Sequence, residues 1–394
     1  MDLVVVGGGI GGLAAALCLA RSGHAVTVLE QAPAIGEIGA GIQLSPNATR
    51  VLFALGLQSA LEAVAFRPEA TEMRQWRTGR FIATTPLGDA ATRQFGFPYF
   101  HIHRGDLITV LERAVRMTSG IRLVTGVRVE RVFEQHDKVV VDGAFGTLAA
   151  DALIGADGIR SVVRAHLFGS AQPVFTGNIA WRLLIPANDL PPGMVRPAVT
   201  AWWGPGAHVV HYFVRRGELV NCVFVREQRG WEVESWTEPG DPAELQGAYR
   251  GWHEHVRTLT QHAARDTLFK WALFDRPPMP AWSRGRMTLL GDACHATLPF
   301  MAQGAAMAIE DAAVLGACLD SSADVAQGLL RYEELRRPRT AGIQLGSRRN
   351  AEVFHLRGLK AWARNRAAGQ AAKRLLAVYG YDSLTAAAND AALV

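Results

Sequence analysis

Glycines near the start of the sequence have the spacing of a dinucleotide-binding site. Gly7, Gly9 and Gly12 match the pattern G-x-G-x-x-G and follow the apolar residues 3–6. In this pattern the first glycine allows a tight turn, the second admits a pyrophosphate, and the third lets a helix pack on a strand. Glu30 follows a second apolar segment, where its carboxylate can accept hydrogen bonds from ribose hydroxyls. These residues predict a nucleotide cofactor at the tips of two strands.

Two other interpretations of residues 3–20 are a buried strand and helix whose glycines merely pack, and a secretory or membrane segment. Five of the six residues 7–12 are glycine, which would weaken a membrane-spanning helix, and no basic segment precedes them. We therefore expect the chain to begin at its first core strand.

Composition favours a globular protein that acts on small molecules. The chain has 394 residues, of which 49% are hydrophobic, and its net charge of +5 favours anionic ligands without a basic tract for nucleic acid. Cys18, Cys222, Cys294 and Cys318 are far apart and lack C-x-x-C spacing, so neither a disulfide framework nor a metal site is expected. A cytoplasmic location is the simplest expectation.

The order of strand-like and helix-like segments along the sequence predicts an α/β fold. We expect a Rossmann-like cofactor domain, an inserted substrate domain built on a mostly antiparallel β-sheet, and C-terminal helices. Aromatic-rich strands are predicted at residues 179–185, 199–203, 208–214 and 219–226. The predicted boundaries are 1–70, 100–170 and 284–335 for the discontinuous cofactor domain, 71–99 and 171–283 for the substrate domain, and 336–394 for a helical cap.

Four further motifs accompany the glycine motif. They are IGAGIQLSPN at 38–47, HRGDL at 103–107, DALIGADGIRSVVR at 151–164 and GDACHATLPFMAQGAAMAIED at 291–311. With these motifs in order, the chain resembles the single-component FAD-dependent aromatic hydroxylases, which have the p-hydroxybenzoate hydroxylase-like fold. It is most similar to the salicylate, 3-hydroxybenzoate and 6-hydroxynicotinate hydroxylases.

The resemblance implies a set of residues that bind FAD. They are Gly7, Gly9, Gly12, Glu30, Gln43, Arg104, Asp157, Asp292, Gly304 and Ala305. Asp292 would bond ribityl or ribose hydroxyls, and the alternative is a turn aspartate that caps the next segment. The helix after Gly304 would direct its N-terminus at the pyrimidine edge of the flavin, where reduction places negative charge.

The second cofactor would be NADH or NADPH. The chain has no second G-x-G-x-x-G, so this co-substrate would bind only briefly at the surface. Arg160, Arg164 and Arg182 are candidate contacts for its anionic groups. The alternative is that each is a solvated surface arginine.

The segment HVVHYFV contains the candidate substrate residues. Alternation along a strand puts His208 and Tyr212 on one face and His211 on the other. The resemblance puts His208 and Tyr212 on the substrate side, although a lone strand histidine is usually structural. Phe300, also expected at the substrate, stands where relatives carry a histidine, which leaves His208, Tyr212, Gln303 or water to take the phenol proton.

Two other segments have structural interpretations. We expect His295 to make a structural hydrogen bond rather than to act in catalysis. Residues 355–375 are basic and carry Leu356, Leu359, Trp362 and Ala363 near helical spacing. We expect this helix to pack its apolar stripe on the core, and the alternative is a membrane or partner contact.

The resemblance implies hydroxylation of a small phenolic or hydroxy-N-heteroaromatic carboxylic acid in aromatic compound catabolism. NAD(P)H and O2 would be consumed through a flavin C4a-hydroperoxide. The alternatives are a flavin monooxygenase of a quinolone- or quinone-type substrate at the membrane, and a flavin redox sensor without turnover. We expect no nucleic-acid partner, no membrane association, and a monomer or homodimer.

Overall fold

The structure of the chain is a computed structural model that describes residues 1–36, 40–228, 230 and 238–386. For residues 370–375 it describes the backbone alone. Residues 38 and 39 of the IGAGIQLSPN motif lie outside the described residues.

The strands occupy both halves of the chain and join into separate sheets. They are β1 (Asp2–Val6), β2 (Ala25–Glu30), β3 (Gly41–Leu44), β4 (Ala70–Gln75), β5 (Phe81–Pro86), β6 (Phe100–His103), β7 (Ile121–Thr125), β8 (Val129–Gln135), β9 (Lys138–Gly143), β10 (Gly146–Ala150), β11 (Ala152–Gly155), β12 (Val174–Pro186), β13 (Ala198–Gly204), β14 (Ala207–Val214), β15 (Leu219–Glu227), β16 (Phe269–Asp275), β17 (Ser283–Arg284) and β18 (Met287–Leu289). A smaller sheet has the order β10-β9-β8, and β3 pairs with β6.

The helices connect these strands and end the chain. They are α1 (Ile10–Arg21), α2 (Pro46–Ala54), α3 (Gln58–Glu62), α4 (Gly88–Phe95), α5 (Arg104–Met117), α6 (Val162–Phe168), α7 (Pro242–Ala248), α8 (Glu254–Gln261), α9 (Asp292–His295), α10 (Gly304–Asp320), α11 (Val325–Phe354) and α12 (Gly358–Tyr379). A short 3-10 turn covers Pro299–Met301.

A parallel sheet carries the predicted cofactor residues. Its order is β17-β18-β11-β1-β2-β7, and each of these pairs is parallel except β17 with β18. Its inner strands are buried, as apolar runs in parallel sheets are when helices cover both faces. The glycine turn, Glu30, Asp157 and Asp292 all lie at the carboxyl ends of its strands, which is where open α/β sheets bind ligands.

The second large sheet has the order β16-β12-β15-β14-β13-β4-β5. All its neighbouring strands are antiparallel except β13 with β4. One face packs on α7 and α8, and the other faces the loop at 298–300 and α11. The predicted fold class is therefore confirmed. The predicted domain boundaries remain a prediction, and the one at 335/336 falls inside α11.

The expectation that the C-terminal helix packs its apolar stripe on the core is wrong. Leu359 is 85% exposed and Trp362 is 56% exposed, so the predicted apolar stripe does not lie on the core. The helix instead packs through Ala368 and through Arg364, which lies over the ring of Trp203. Helical spacing identified residues that share a face, but the opposite face contacts the protein. Among the described residues, no helix has the length and apolar character needed to cross a membrane.

Candidate active site

The glycine turn has the shape that a pyrophosphate requires. Gly7 has a φ of +107°, and a Cβ added there would overlap the carbonyl of Ala156. A Cβ added at Gly12 would overlap the carbonyl oxygen of Gly7, so this glycine allows α1 to approach β1. A Cβ at Gly9 would meet nothing within 4 Å. The space beside Gly9 is therefore open to a ligand, at the N-terminus of α1 where backbone N–H groups favour phosphate.

Glu30 is held beside this turn by backbone hydrogen bonds. Its Oε2 accepts from the amide of Gly8 at 2.6 Å, and its Oε1 accepts from the amide of Ala32 at 2.8 Å. A carboxylate has about four lone-pair sites, so these two bonds leave acceptor capacity on both oxygens. The arrangement fits a ribose whose hydroxyls donate to Glu30.

Asp157 and Asp292 occupy different environments at the same edge. Oδ2 of Asp157 accepts from the amides of Val162 and Val163, so this oxygen caps α6. Oδ1 of Asp157 is buried and has no hydrogen-bond partner among the described residues, and burial raises the pKa of this carboxyl. Asp292 is exposed at the start of α9, after Gly291 with a φ of +65°. Asp292 therefore presents its side chain openly at this edge, whereas Oδ1 of Asp157 lies beneath it without a partner among the described residues.

The loop before α10 is fixed by the side chain of Gln303. Its Nε2 donates to Oγ of Ser45 at 2.9 Å, and its Oε1 accepts from Nδ2 of Asn47 at 3.0 Å. Helix α10 begins directly afterwards, at Gly304 and Ala305. Because both ends of the Gln303 amide are engaged, these contacts support a positioning role for a residue that the sequence placed among the proton acceptors.

A buried ion cluster lies behind this loop. The guanidinium of Arg336 donates to Glu310 at 2.6 Å and to Asp311 at 2.7 Å, and all three side chains are fully buried. Asp311 is also 2.5 Å from Nε2 of His295. Nδ2 of Asn47 donates to Glu310 at 2.6 Å, which connects the cluster to Gln303. His295 thus makes the structural hydrogen bond that was expected.

His208 lies on the sheet face toward the loop at 299–301. Its ring meets Phe300 edge to face, with centroids 4.8 Å apart, and its Nδ1 is 2.8 Å from Nε2 of His355. Burial, with a smaller contribution from His355, holds the pKa of His208 well below its usual range. Burial therefore favours the neutral imidazole, in which one ring nitrogen keeps a lone pair.

Tyr212 lies on the same face, farther along β14. Its ring centroid is 4.5 Å from that of His101, and burial raises its pKa while a hydrogen bond with Gln43 acts in the opposite direction. Oε1 of Gln43 also accepts from the hydroxyl of Tyr99 at 2.6 Å. Gln43 therefore joins Tyr212 and Tyr99 beside β14, whereas the sequence placed it at the cofactor.

The predicted division of β14 into two faces is confirmed. His211 is on the face toward α8, where Nε1 of Trp202 donates to its Nε2 at 3.1 Å and His255 stacks on its ring. The two histidines of the segment therefore belong to different surroundings. Only His208 is on the Phe300 side.

The candidate arginines are more buried than expected. Arg164 and Arg182 are 5% and 6% exposed, so the alternative of a solvated arginine is wrong for both. Arg164 donates to the carbonyls of Ala293 and Ile159, which ties α6 to α9. Arg160 is exposed, and Arg104 begins α5 with its amide bonded to Ala40.

Sequence reasoning missed Tyr99, His101, Glu227 and His355. The alternation of Tyr99, His101 and His103, which leads into the HRGDL motif, was a usable signal, because a strand places such residues on one face. Glu227 and His355 had no comparable local signal. They meet only because β15 and the end of α11 converge at the start of β14.

Comparison with known proteins supports the cofactor interpretation. A family model described as "FAD binding domain" matches residues 1–344. A 3-amino-4-hydroxybenzoate 2-monooxygenase of Streptomyces cremeus is 42% identical over 356 residues, which cover 90% of this chain and 88% of the relative. A 3-hydroxybenzoate 6-hydroxylase of Polaromonas naphthalenivorans is 40% identical over 367 residues, covering 93% and 91%.

A solved structure has a similar overall architecture. The crystal structure of Klebsiella pneumoniae HpxO complexed with FAD and uric acid superposes with a TM-score of 0.85 and 27% sequence identity. The alignment covers 96% of each chain. The similarity thus extends over both large sheets and beyond the segment that the family model matches.

Proposed function

The chain belongs to the FAD binding domain family, and from this premise we propose that it hydroxylates a small aromatic acid held between the seven-stranded sheet and the loop at 299–301. It is a flavoprotein monooxygenase of the aromatic hydroxylase type. The substrate that we propose is a phenolic or hydroxy-N-heteroaromatic carboxylic acid. The observation that carries this proposal is the buried His208, whose ring meets Phe300 edge to face with centroids 4.8 Å apart.

The residues at the edge of the parallel sheet fit FAD. Gly9 leaves room for the pyrophosphate, Glu30 has acceptor capacity for ribose hydroxyls, and Asp157 has an unpartnered buried oxygen. When bound, FAD supplies the redox chemistry, because it accepts a hydride from NADH or NADPH and activates O2. We assign Asp292, Arg104, Gly304 and Ala305 to the same cofactor.

The protein residues at the proposed pocket then have separate tasks. Phe300 and the neighbouring Phe354 exclude water from the reacting ring. His208 accepts the proton of the ring hydroxyl, which makes the ring more electron-rich and a better nucleophile toward activated oxygen. Tyr212, oriented through Gln43, is placed to bond a polar substituent of the substrate.

Two other functions receive less support. The relatives described above are named as a monooxygenase and a hydroxylase of benzoic acids, which favours neither a membrane-derived quinolone or quinone substrate nor a redox sensor without turnover. We propose a cytoplasmic enzyme, and we leave both a monomer and a homodimer open.

The test is oxidation of NADH and NADPH by the FAD-loaded protein against a panel of hydroxybenzoates, aminohydroxybenzoates and hydroxynicotinates. Hydroxylated product and hydrogen peroxide are both measured. We expect one panel member to stimulate oxidation and to yield product in proportion to the nucleotide consumed. Peroxide without product from every compound that stimulates oxidation, or no stimulation at all, would contradict the proposed substrate class.

A further inference from the structure

A line of hydrogen-bonding side chains runs from the proposed pocket to the protein surface. Nδ1 of His208 is 2.8 Å from Nε2 of His355, and Nδ1 of His355 is 3.1 Å from Oε1 of Glu227. His208 and His355 are buried, whereas the side chain of Glu227 is 49% exposed. The line therefore begins beside Phe300 and ends in solvent.

Backbone contacts hold these three residues in place. The amide of Gly206 donates to the carbonyl of His355 at 3.0 Å, and the amide of Glu227 donates to the carbonyl of Gly206 at 2.9 Å. Arg364 donates to the carbonyls of Val353 and Phe354 and so fixes the end of α11 directly before His355. The alignment is thus built into the fold at the β13–β14 turn.

The hydrogen bonds determine the tautomer of each ring. A carboxylate only accepts, so Nδ1 of His355 must donate to Glu227, and Nε2 of neutral His355 is then an acceptor. Nδ1 of His208 must therefore donate to His355. Nε2 of His208 is left with its lone pair free to accept a proton.

We propose that His208, His355 and Glu227 form a proton relay that carries the ring-hydroxyl proton of the substrate to solvent. The inference rests on the proposed function. The O–H bond of the substrate breaks as its proton bonds Nε2 of His208, and the Nδ1 proton of His208 moves to Nε2 of His355. The Nδ1 proton of His355 then moves to the Glu227 carboxylate, which releases it to water.

The surrounding charges explain why a relay is needed. His208 alone would become an imidazolium in a buried site, which costs more than the same charge in water. Burial lowers the pKa of His355, the facing carboxylate of Glu227 raises it, and the facing Arg357 and Arg364 lower it. Transfer to Glu227 leaves both imidazoles neutral. Of these three residues, His208 is the one placed against the substrate, and His355 and Glu227 are positioning and relay residues.

The first test uses nitrogen NMR of the histidine side chains in the FAD-loaded protein without substrate. We expect neutral rings at His208 and His355 near pH 7, each with its proton on Nδ1. In Glu227→Gln we expect His355 to lose this tautomer preference. Protons on Nε2 of both rings in the wild type would overturn the relay, whatever substrate the enzyme uses.

The second test measures turnover with the best compound of the substrate panel. In Glu227→Gln we expect kcat to fall about tenfold at unchanged KM, because only proton release is impaired, and added imidazole buffer should restore it. Glu227→Asp should retain more activity than Glu227→Gln. Glu244→Gln is the matched control, because Glu244 is also a partly exposed, ion-paired carboxylate, held by Lys270 away from the relay.

The outcomes separate the relay from the proposed function. Equal kcat in Glu227→Gln, Glu244→Gln and wild type would overturn the relay while leaving the hydroxylase intact. A wild type with the expected tautomers but no hydroxylated product would instead contradict the proposed function. His355→Gln gives an internal check, since it should match Glu227→Gln in KM and should respond less to imidazole.

Discussion

Two buried polar clusters in this protein use histidine in different ways. In the ion cluster behind the loop, His295 bonds Asp311, which Arg336 also holds. On the seven-stranded sheet, His208 faces the ring of Phe300, and its Nδ1 bonds His355. In the ion cluster, charged side chains pair with side chains of opposite charge. His208 instead is a neutral ring whose Nε2 keeps a free lone pair. The residues of the ion cluster therefore stabilise the arrangement of the helices, whereas His208 is available to react.

The ion cluster also holds three helices together at the cofactor edge of the parallel sheet. Its members come from α9, α10 and α11, so it joins three helices that meet near Gly291. Such a cluster need not stabilise the fold relative to apolar residues, but breaking it leaves a charge unpaired.

The largest effect should follow the loss of Arg336. In Arg336→Met, the carboxylates of Glu310 and Asp311 lose their shared buried cation, which should lower the free energy of unfolding by about 3–5 kcal/mol. Urea unfolding measures this change. Arg337→Met is the control, because Arg337 is 41% exposed with one ion pair at 3.9 Å, and it should change stability by less than about 0.5 kcal/mol. Similar losses in both variants would show that the buried ion cluster contributes no more to the free energy of unfolding than an exposed ion pair does.

A smaller effect on stability but a large effect on rate should follow His208→Gln. Removal of the proposed base should lower the kcat of hydroxylation by about 100-fold or more, with FAD content and melting temperature nearly unchanged. His211→Gln changes the other face of the same strand, where the ring bonds Trp202. His211→Gln should lower the melting temperature and have little effect on kcat. A rate loss confined to His211→Gln would reverse the assignment of the two faces.

Gly9 and Gly12 differ in the space that an added methyl group would enter. Gly9→Ala adds a methyl group into open space, so the FAD-free protein should keep its unfolding midpoint while FAD binding weakens by about 1–3 kcal/mol. Gly12→Ala adds its methyl group against the carbonyl of Gly7 and should destabilise the fold itself. Equilibrium titration with FAD and urea unfolding of the apoprotein separate the two effects. Unimpaired FAD binding by Gly9→Ala would contradict the pyrophosphate placement.

Stability should also depend on pH through the neutral histidines. Burial lowers the pKa of His101 to about 3 and that of His255 to about 4. In the unfolded chain histidine has a pKa of about 6.5, so below this pH the unfolded state binds protons that the folded state does not. The free energy of unfolding should therefore decrease as the pH is lowered, by about 1.4 kcal/mol per pH unit for each such histidine, until the pH reaches the pKa of that histidine in the folded state.

Urea unfolding at several pH values between about 7.5 and 5 measures this slope. In His101→Gln the slope should decrease by the contribution of one proton. An unchanged slope would mean that His101 has nearly the same pKa in the folded and unfolded states.

The sequence predicted the parallel sheet well and the pocket only in part. Apolar strands that end at Gly7, Glu30 and Asp292 carry local signals, because each is a short buried run followed by a turn. The link between His208 and His355 spans 147 residues, and local patterns do not report contacts at that separation. Leu359 and Trp362 show the opposite problem, since their helical spacing was real but their face is exposed.

The most direct test of the proposed hydroxylation follows oxygen from labelled O2 into the product. The FAD-loaded wild type is supplied with NADH or NADPH, its best aromatic acid, and O2 enriched in heavy oxygen, and the product is analysed by mass spectrometry. We expect one labelled oxygen atom in each product molecule and proportional loss of product, but not of FAD, in His208→Gln. Label that appears only in peroxide or water would contradict the assignment of this protein as an aromatic hydroxylase.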